Sequence, residues 1–217
     1  EFVLQAGFPT EVTSFRLSLL NLLFAIKNWR FGLVTGTLYA AFTWTPPIAT
    51  PTDLLSYPAS LVWMALILAG SIPFAYYADQ NPRWFRWSAG LLHGAAHLAS
   101  AFLISGWTAN TFGGDLWPRL LVNFFGGGIA GLTILGLYLF LALNLFGAHP
   151  NYAFSSLRIQ DYKHFLRLHI TREGHLEIFP IGVNKIPRRA DAHAKYALIE
   201  KPITINPQVI DDARNAL

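Results

Sequence analysis

Two histidines stand four residues apart in the uncharged stretch SAGLLHGAAHLASAF, which covers residues 88–102. At this spacing His93 and His97 project from the same face of a helix. An imidazole in such an apolar setting can hydrogen-bond a neighbouring helix, ligate a haem, a pigment or a metal ion, or form a polar site for lipid head groups or protons. Which chemistry applies depends on whether the setting is a protein core or a lipid bilayer.

The rest of the sequence favours a structural role for these histidines, with each ring bonded to a hydroxyl or carbonyl of a neighbouring helix, for example Tyr138 or Thr133. A bis-histidine haem draws one ligand from each of two helices, and no other predicted span contains a histidine. Zinc usually has three or four protein ligands, and no carboxylate is predicted at the same depth. We therefore predict no cofactor and no metal site. A pigment or haem contact through His93 or His97 remains the alternative.

The composition indicates a membrane protein with a polar tail. Of the 217 residues, 53% are hydrophobic and 13% are charged, whereas a soluble domain usually has about 25% charged residues. Without cysteine the chain has no disulfide and no thiolate metal site. The isoelectric point of about 9.5 arises from basic residues that flank apolar segments. We therefore expect membrane lipids as partners, and no nucleic acid.

Four apolar segments are long enough to cross a bilayer, which takes about 20 residues. The predicted fold class is a mainly α-helical integral membrane protein. Its four-helix transmembrane domain covers residues 31–149, with spans at about 31–49, 54–78, 87–112 and 120–148. An N-terminal segment, residues 1–30, precedes the spans and contains an interfacial amphipathic helix over residues 12–28.

The basic residues nearest the spans predict the orientation, since lysine and arginine are enriched on the cytoplasmic side. Their distribution alternates along the chain, so that both termini face the cytoplasm of a multi-pass protein in the bacterial inner membrane. The predicted membrane-surface residues are Lys27, Arg30, Arg83, Arg86, Arg188 and Arg189.

Small residues indicate how the spans pack. Gly90 and Gly94 form a G-x-x-x-G pattern on the third span, and Gly127 and Gly131 form another on the fourth. Because such patterns let helix backbones approach closely, we predict that the third and fourth spans pack along these faces.

The tail, residues 150–217, has a different character. It opens with a short amphipathic helix, and then FLRLHI and HLEIFPIGV alternate around TREG, which predicts a β-hairpin. ALIEKPITI predicts a third strand, at an edge because of its proline. The result is a small cytoplasmic tail with a hairpin, on whose surface His169 and His175 are expected.

The stretches LFGAHPNYAFSSLRIQDYKHFLRLHI and HLEIFPIGVNKIPRR resemble the C-terminal part of bacterial membrane-linked metallophosphoesterases of the calcineurin-like type. The resemblance implies a phosphoesterase domain first, then hydrophobic spans and a β-rich end. The metal-binding motifs of that family (D-x-H, G-D-x-x-D, G-N-H-[ED] and G-H-x-H) do not occur in this sequence. We therefore predict no catalytic residue here, and any phosphoesterase activity would need an N-terminal domain.

Two functions follow as alternatives. The first is a non-catalytic membrane anchor or scaffold portion of a metallophosphoesterase-like inner-membrane protein. The second is an accessory structural subunit of a larger respiratory or photosynthetic membrane assembly, where it binds partner helices, lipids or pigments. In either case, other membrane protein subunits are expected partners.

Overall fold

The computed structural model describes residues 7–44, 82–188 and 193–206, together with scattered helical residues between 61 and 73. The chain divides into two compact units. One is the mainly helical unit Leu17–Arg158, and the other combines Glu1–Arg16 with Ile159–Leu217 and contains a small antiparallel sheet.

The helices and 3-10 turns of the described residues follow in the order α1 (Glu11–Ser18), a turn (Leu19–Leu23), α2 (Phe24–Lys27), α3 (Trp29–Ala41), a turn (Phe42–Trp44), α4 (Arg83–Phe112), α5 (Leu116–Phe146) and α6 (Pro150–Ser156).

The predicted four-span fold is wrong. Among the described residues, two helices, α4 with 30 residues and α5 with 31, are long and apolar enough to cross a membrane. Each rises about 45 Å, which exceeds the hydrocarbon thickness of about 30 Å. They correspond to the predicted spans at 87–112 and 120–148, and each begins four residues earlier than expected.

The other two predicted spans are not supported. The first, at 31–49, coincides in its described part with α3, whose 13 residues rise only about 20 Å, while residues 45–49 lie outside the described residues. The helix tightens into the Phe42–Trp44 turn shortly before Pro46 and Pro47 in the sequence, and a residue before proline disfavours the α conformation. The second, at 54–78, lies mostly outside the described residues, and its nine described residues are helical.

The segment predicted as one amphipathic helix over residues 12–28 is divided into α1, a 3-10 turn and α2. Its polar residues Ser18 and Asn21 are buried rather than directed to a surface. The Ser18 hydroxyl donates to Oδ1 of Asn144 on α5 over 3.0 Å. This part of the chain therefore packs against α5, and the tighter turn brings its polar side chains inward.

α5 is the central helix of the helical unit. At one end Leu132, Leu135 and Leu139 pack with Phe24 of α2, and Ala142 packs with Phe85 of α4. The helix ends at Gly147, which has φ +62° and donates its N–H to Leu143, while Ala148 donates to Ala142. The bond from Gly147 to Leu143 is the 5→1 bond of an αL cap, and both bonds satisfy carbonyls at the end of the helix.

The sheet is built on a hairpin of β1 (Lys163–Ile170) and β2 (Leu176–Val183), paired in register from Lys163↔Val183 to Ile170↔Leu176. This is where the alternation in the sequence predicted a hairpin. The expected third strand is instead two short strands, β3 (Ala197–Leu198) and β4 (Ile203–Ile205), which both pair with the free edge of β2. Pro202 lies between them, and a proline cannot donate to the ladder.

The hairpin turn is fixed by local hydrogen bonds. Gly174 donates its N–H to the carbonyl of Thr171 over 3.0 Å. The backbone N–H of Glu173 and the Thr171 hydroxyl donate to the Glu173 carboxylate and hold its pKa below the ordinary value. Next to the turn, Nδ1 of His169 lies 2.9 Å from a carboxylate oxygen of Glu177, its cross-strand partner. His169 therefore has an acidic neighbour that its position in the sequence does not reveal.

Candidate functional site

His93 and His97 lie one turn apart on α4, and each is only 7% exposed. Their ring centroids are 4.8 Å apart. The helix therefore brings both imidazoles to one interior face, as the spacing predicted.

His97 is held by Tyr39 of α3, which is 2% exposed. The Tyr39 hydroxyl lies 3.0 Å from Nδ1 of His97 and 3.1 Å from its carbonyl oxygen. A hydroxyl has one hydrogen and a carbonyl only accepts. We therefore assign the hydroxyl as donor to the carbonyl and Nδ1 of His97 as donor to the hydroxyl oxygen. This places a hydrogen on Nδ1 of His97.

His93 contacts the ring of Tyr138 on α5 at a centroid distance of 4.9 Å. The Tyr138 hydroxyl in turn lies 2.6 Å from Nε2 of His149, which is 3% exposed. Tyr138 was predicted as a neighbour of the two histidines, whereas His149 was not among the predicted site residues. The sequence feature that could have indicated His149 is its position between Gly147 and Pro150, immediately after a long apolar helix.

Together these residues form a row of rings through the helical unit. Successive centroids are 6.1, 4.8, 4.9, 5.4 and 5.6 Å apart. The row consists of Tyr39, His97, His93, Tyr138, His149 and Tyr152. The first five are largely covered and Tyr152 is 49% exposed. Below, this set is called the ring row.

Two cavities border the ring row. An apolar groove of about 510 Å³ runs between α4 and α5, with His93 and Tyr138 at its wall. A second cavity of about 240 Å³ is lined by Tyr39, His93 and His97. His93 therefore lines both spaces. Among the described residues, no group of three or more histidine or carboxylate side chains is arranged to hold a metal ion.

The glycine faces pack differently from the prediction. Gly127 and Gly131 of α5 lie against α3 rather than α4: a methyl at Gly127 would overlap Tyr39, and one at Gly131 would lie 2.6 Å from Cβ of Thr35. Gly90 of α4 meets Ile72, whose carbonyl oxygen would be 3.1 Å from an added methyl, and Gly94 is buried. The physical reason is that α3 also has glycines on the facing side: a methyl at Gly32 would meet Leu132 and one at Gly36 the carbonyl oxygen of Phe124, so glycines on both helices let α3 and α5 approach closely.

The predicted membrane-surface cations have different environments. Lys27 is half-buried and donates to the carbonyl of Leu157 over 3.1 Å. Arg30 is exposed and stacks over Trp29 at 5.6 Å. Arg83 and Arg188 are exposed and Arg86 is half-buried, while Arg189 lies outside the described residues.

A buried polar cluster near the α4–α5 turn was not predicted. Asn123 of α5 is fully buried and donates to the Thr108 hydroxyl over 3.0 Å and to the carbonyl of Arg119 over 2.9 Å. The guanidinium of Arg119, 8% exposed, donates to the carbonyl oxygens of Thr43 at 3.3 Å and Gly113 at 3.5 Å. Asn123 lies one helical turn after Arg119, and this spacing of two polar residues in an apolar helix is the sequence feature that could have indicated the cluster.

No family model, no curated protein and no solved structure matches this chain. Its function is therefore argued from the burial pattern, the ring row and the sheet unit.

Proposed function

We propose that this chain is the membrane-anchoring, non-catalytic portion of a metallophosphoesterase-like protein of the bacterial inner membrane. The observation that carries the proposal is the burial pattern of the helical unit. Several polar side chains are buried together with the apolar core, whereas many large apolar side chains point outward. A water-soluble domain buries its apolar residues and exposes its polar ones, whereas a helix in lipid must present an apolar surface.

The outward surface of α4 and α5 is strongly apolar. Leu92, Leu103, Ile129 and Leu145 are each between 66% and 74% exposed, whereas Asn123 is fully buried. Only 33% of the most apolar 18-residue stretch of each helix is buried. A core helix of a soluble protein would be covered over most of its length, so this pattern supports a bilayer as the surrounding solvent.

Exposed tryptophans mark both ends of the helix pair. Trp84 lies at the start of α4, and Trp107 and Trp117 lie near the α4–α5 turn; they are 65%, 57% and 73% exposed. From Trp84 to Trp107 the helix rises about 35 Å, close to the hydrocarbon thickness of about 30 Å. Tryptophan is enriched at both membrane interfaces. The spacing therefore supports a crossing in which Trp84 lies at one interface and Trp107 and Trp117 lie at the other.

The charges near the helix ends support a cytoplasmic location for both ends of the α4–α5 pair. Arg83 and Arg86 lie at the start of α4, and Arg158 and Lys163 follow α5. The turn between the two helices contains Asp115, and the basic residue that follows it, Arg119 at the start of α5, is buried. By the positive-inside rule, this distribution favours a periplasmic turn and a cytoplasmic sheet unit.

This orientation predicts the labelling of introduced cysteines. The chain contains no cysteine, so each variant has a single reactive thiol. Gly114→Cys in the turn, where added atoms meet nothing within 4 Å, should react with a membrane-impermeant maleimide in intact cells. Arg172→Cys at the exposed hairpin turn should react only after the cells are opened. Labelling of Arg172→Cys in intact cells would contradict the proposed orientation.

The link to metallophosphoesterases rests on the resemblance of residues 145–170 and 175–189 to the end of those proteins. These residues form the end of α5, then α6, the hairpin and the loop after β2, so the resemblance covers one continuous part of the chain. The anchor would hold a phosphoesterase domain at the cytoplasmic face, and the catalytic residues would belong to that domain.

The mass of the native protein distinguishes this anchor from an accessory subunit of a larger membrane assembly. We expect the protein captured from its native membrane to exceed the mass of this chain by at least a whole domain. That preparation should hydrolyse a phosphoester in the presence of divalent metal ions. A native chain of 24.2 kDa that copurifies with a larger complex would overturn the anchor proposal in favour of the accessory subunit.

A further inference from the structure

A cleft of about 730 Å³ opens beside the sheet, at the end of the hairpin opposite its turn. Its walls are the loop after β2, residues 184–188, and the segment leading into β3, residues 193–197. The cationic lining side chains are Lys185, Arg188 and Lys195, all exposed. His193 and Tyr196 add two further polar groups.

The backbone holds both walls against the same end of β2. The N–H of Ile186 donates to the carboxylate of Asp161 over 2.9 Å, and the N–H of Tyr162 donates to the carbonyl of Asn184 over 3.2 Å. On the other side, β3 pairs Gly182 with Ala197. The cleft is therefore shaped by the sheet and exists without a ligand.

The cations in the cleft are not neutralised within the described residues. The ion pair found among the described residues joins His169 and Glu177, which lie near the hairpin turn and away from the cleft. The carboxylate of Asp161 accepts a hydrogen bond from the Ile186 N–H and contributes one negative charge at the base of the loop, against three lining cations. The described residues of the two walls, 185–188 and 193–196, contain three lysines and arginines and no acidic residue, a net charge of +3.

We propose that this cleft binds a phosphate group carried by a small molecule or a lipid head group. Lysine supplies a compact charge and arginine a bidentate fork, and both suit the oxygens of a phosphate. The volume lies in the range of small-molecule sites, roughly 300–1,000 Å³. A phosphate ester fits the charge of the cleft, and Tyr196 offers a hydroxyl to the same anion. This inference does not depend on the identity of the membrane protein to which the chain belongs.

The test uses the full chain in a neutral detergent and isothermal titration calorimetry. One arm titrates inorganic pyrophosphate, as a soluble phosphate source. The other titrates detergent-solubilised phosphatidylglycerol, with phosphatidylcholine as the neutral comparison. The cleft variant is Arg188→Gln/Lys195→Gln. The matched control is Arg172→Gln/Lys201→Gln, which removes the same charge from exposed positions of the same unit outside the cleft.

We expect one of the two anionic ligands to bind and the cleft variant, which lacks two cations, to bind it about 30-fold more weakly, since each cation near an anionic head group contributes about fivefold. The control variant should bind as the parent does. Binding of phosphatidylglycerol alone identifies a lipid source, and binding of pyrophosphate identifies a soluble one. No binding of either anion, or equal weakening by both variants, would overturn the proposal. Circular dichroism verifies that both variants are folded.

Discussion

Replacement of Gly127 by alanine is expected to lower the free energy of unfolding by about 3 kcal/mol, at the upper end of the usual cost of overpacking. The added methyl would overlap Cβ and the ring of Tyr39. Tyr39 cannot move aside easily because it is 2% exposed and bonded to His97. α3 and α5 would have to separate, which would also disturb the contact between Gly131 and Thr35. The measurement is equilibrium unfolding in mixed micelles, followed by circular dichroism.

The matched control is Gly106→Ala on α4. A methyl at Gly106 meets nothing within 4 Å, and alanine is favoured over glycine in a helix by about 1 kcal/mol. The control should therefore be as stable as the parent or more stable. If Gly127→Ala and Gly106→Ala unfold alike, the close approach of α3 and α5 is not present in solution.

Tyr39→Phe is expected to cost about 2 kcal/mol, because it removes the hydroxyl that binds both Nδ1 and the carbonyl of His97. A buried polar group left without its partner costs about 1–3 kcal/mol. The ring and its packing are unchanged, so the loss reports on the hydrogen bonds. The same variant should change the nitrogen chemical shifts of the His97 imidazole, since the hydrogen on Nδ1 loses its acceptor.

Thr37→Val provides the comparison on the same helix. The Thr37 hydroxyl is exposed and donates only to the carbonyl of Leu33, four residues earlier. Its removal should leave both the unfolding free energy and the His97 shifts close to those of the parent. Unchanged His97 shifts in Tyr39→Phe would show that the assigned hydrogen bond is absent.

The sequence predicted the long apolar helices and the hairpin well, because both follow from periodicity over many residues. It failed for α3, whose length depends on where the chain turns before Pro46 rather than on hydropathy. The interruption of residues 12–28 was also hidden, since Ser18 and Asn21 are directed inward by contacts with α5 that lie more than 100 residues away in the sequence.

For the candidate site, the helical spacing of His93 and His97 was sufficient to place them on one face. It could not identify Tyr39 as the partner of His97, because the two residues are 58 positions apart and meet only through tertiary packing. The partner of the Gly127 and Gly131 face was missed for the same reason. Similarly, the cross-strand neighbour of His169 required the register of the hairpin.

The outward apolar surface of α4 and α5 also defines how a water-soluble version of the helical unit could be designed. Leu92, Leu103, Ile129 and Leu145 are the most exposed aliphatic side chains of the two helices, and replacing them with glutamate, lysine or glutamine would leave the ring row and the glycine contacts untouched. The interior already contains the polar side chains and close backbone contacts that specify the packing. The positions that determine solubility are thus separate from those that determine the fold, and the solubility can be changed while the fold is kept.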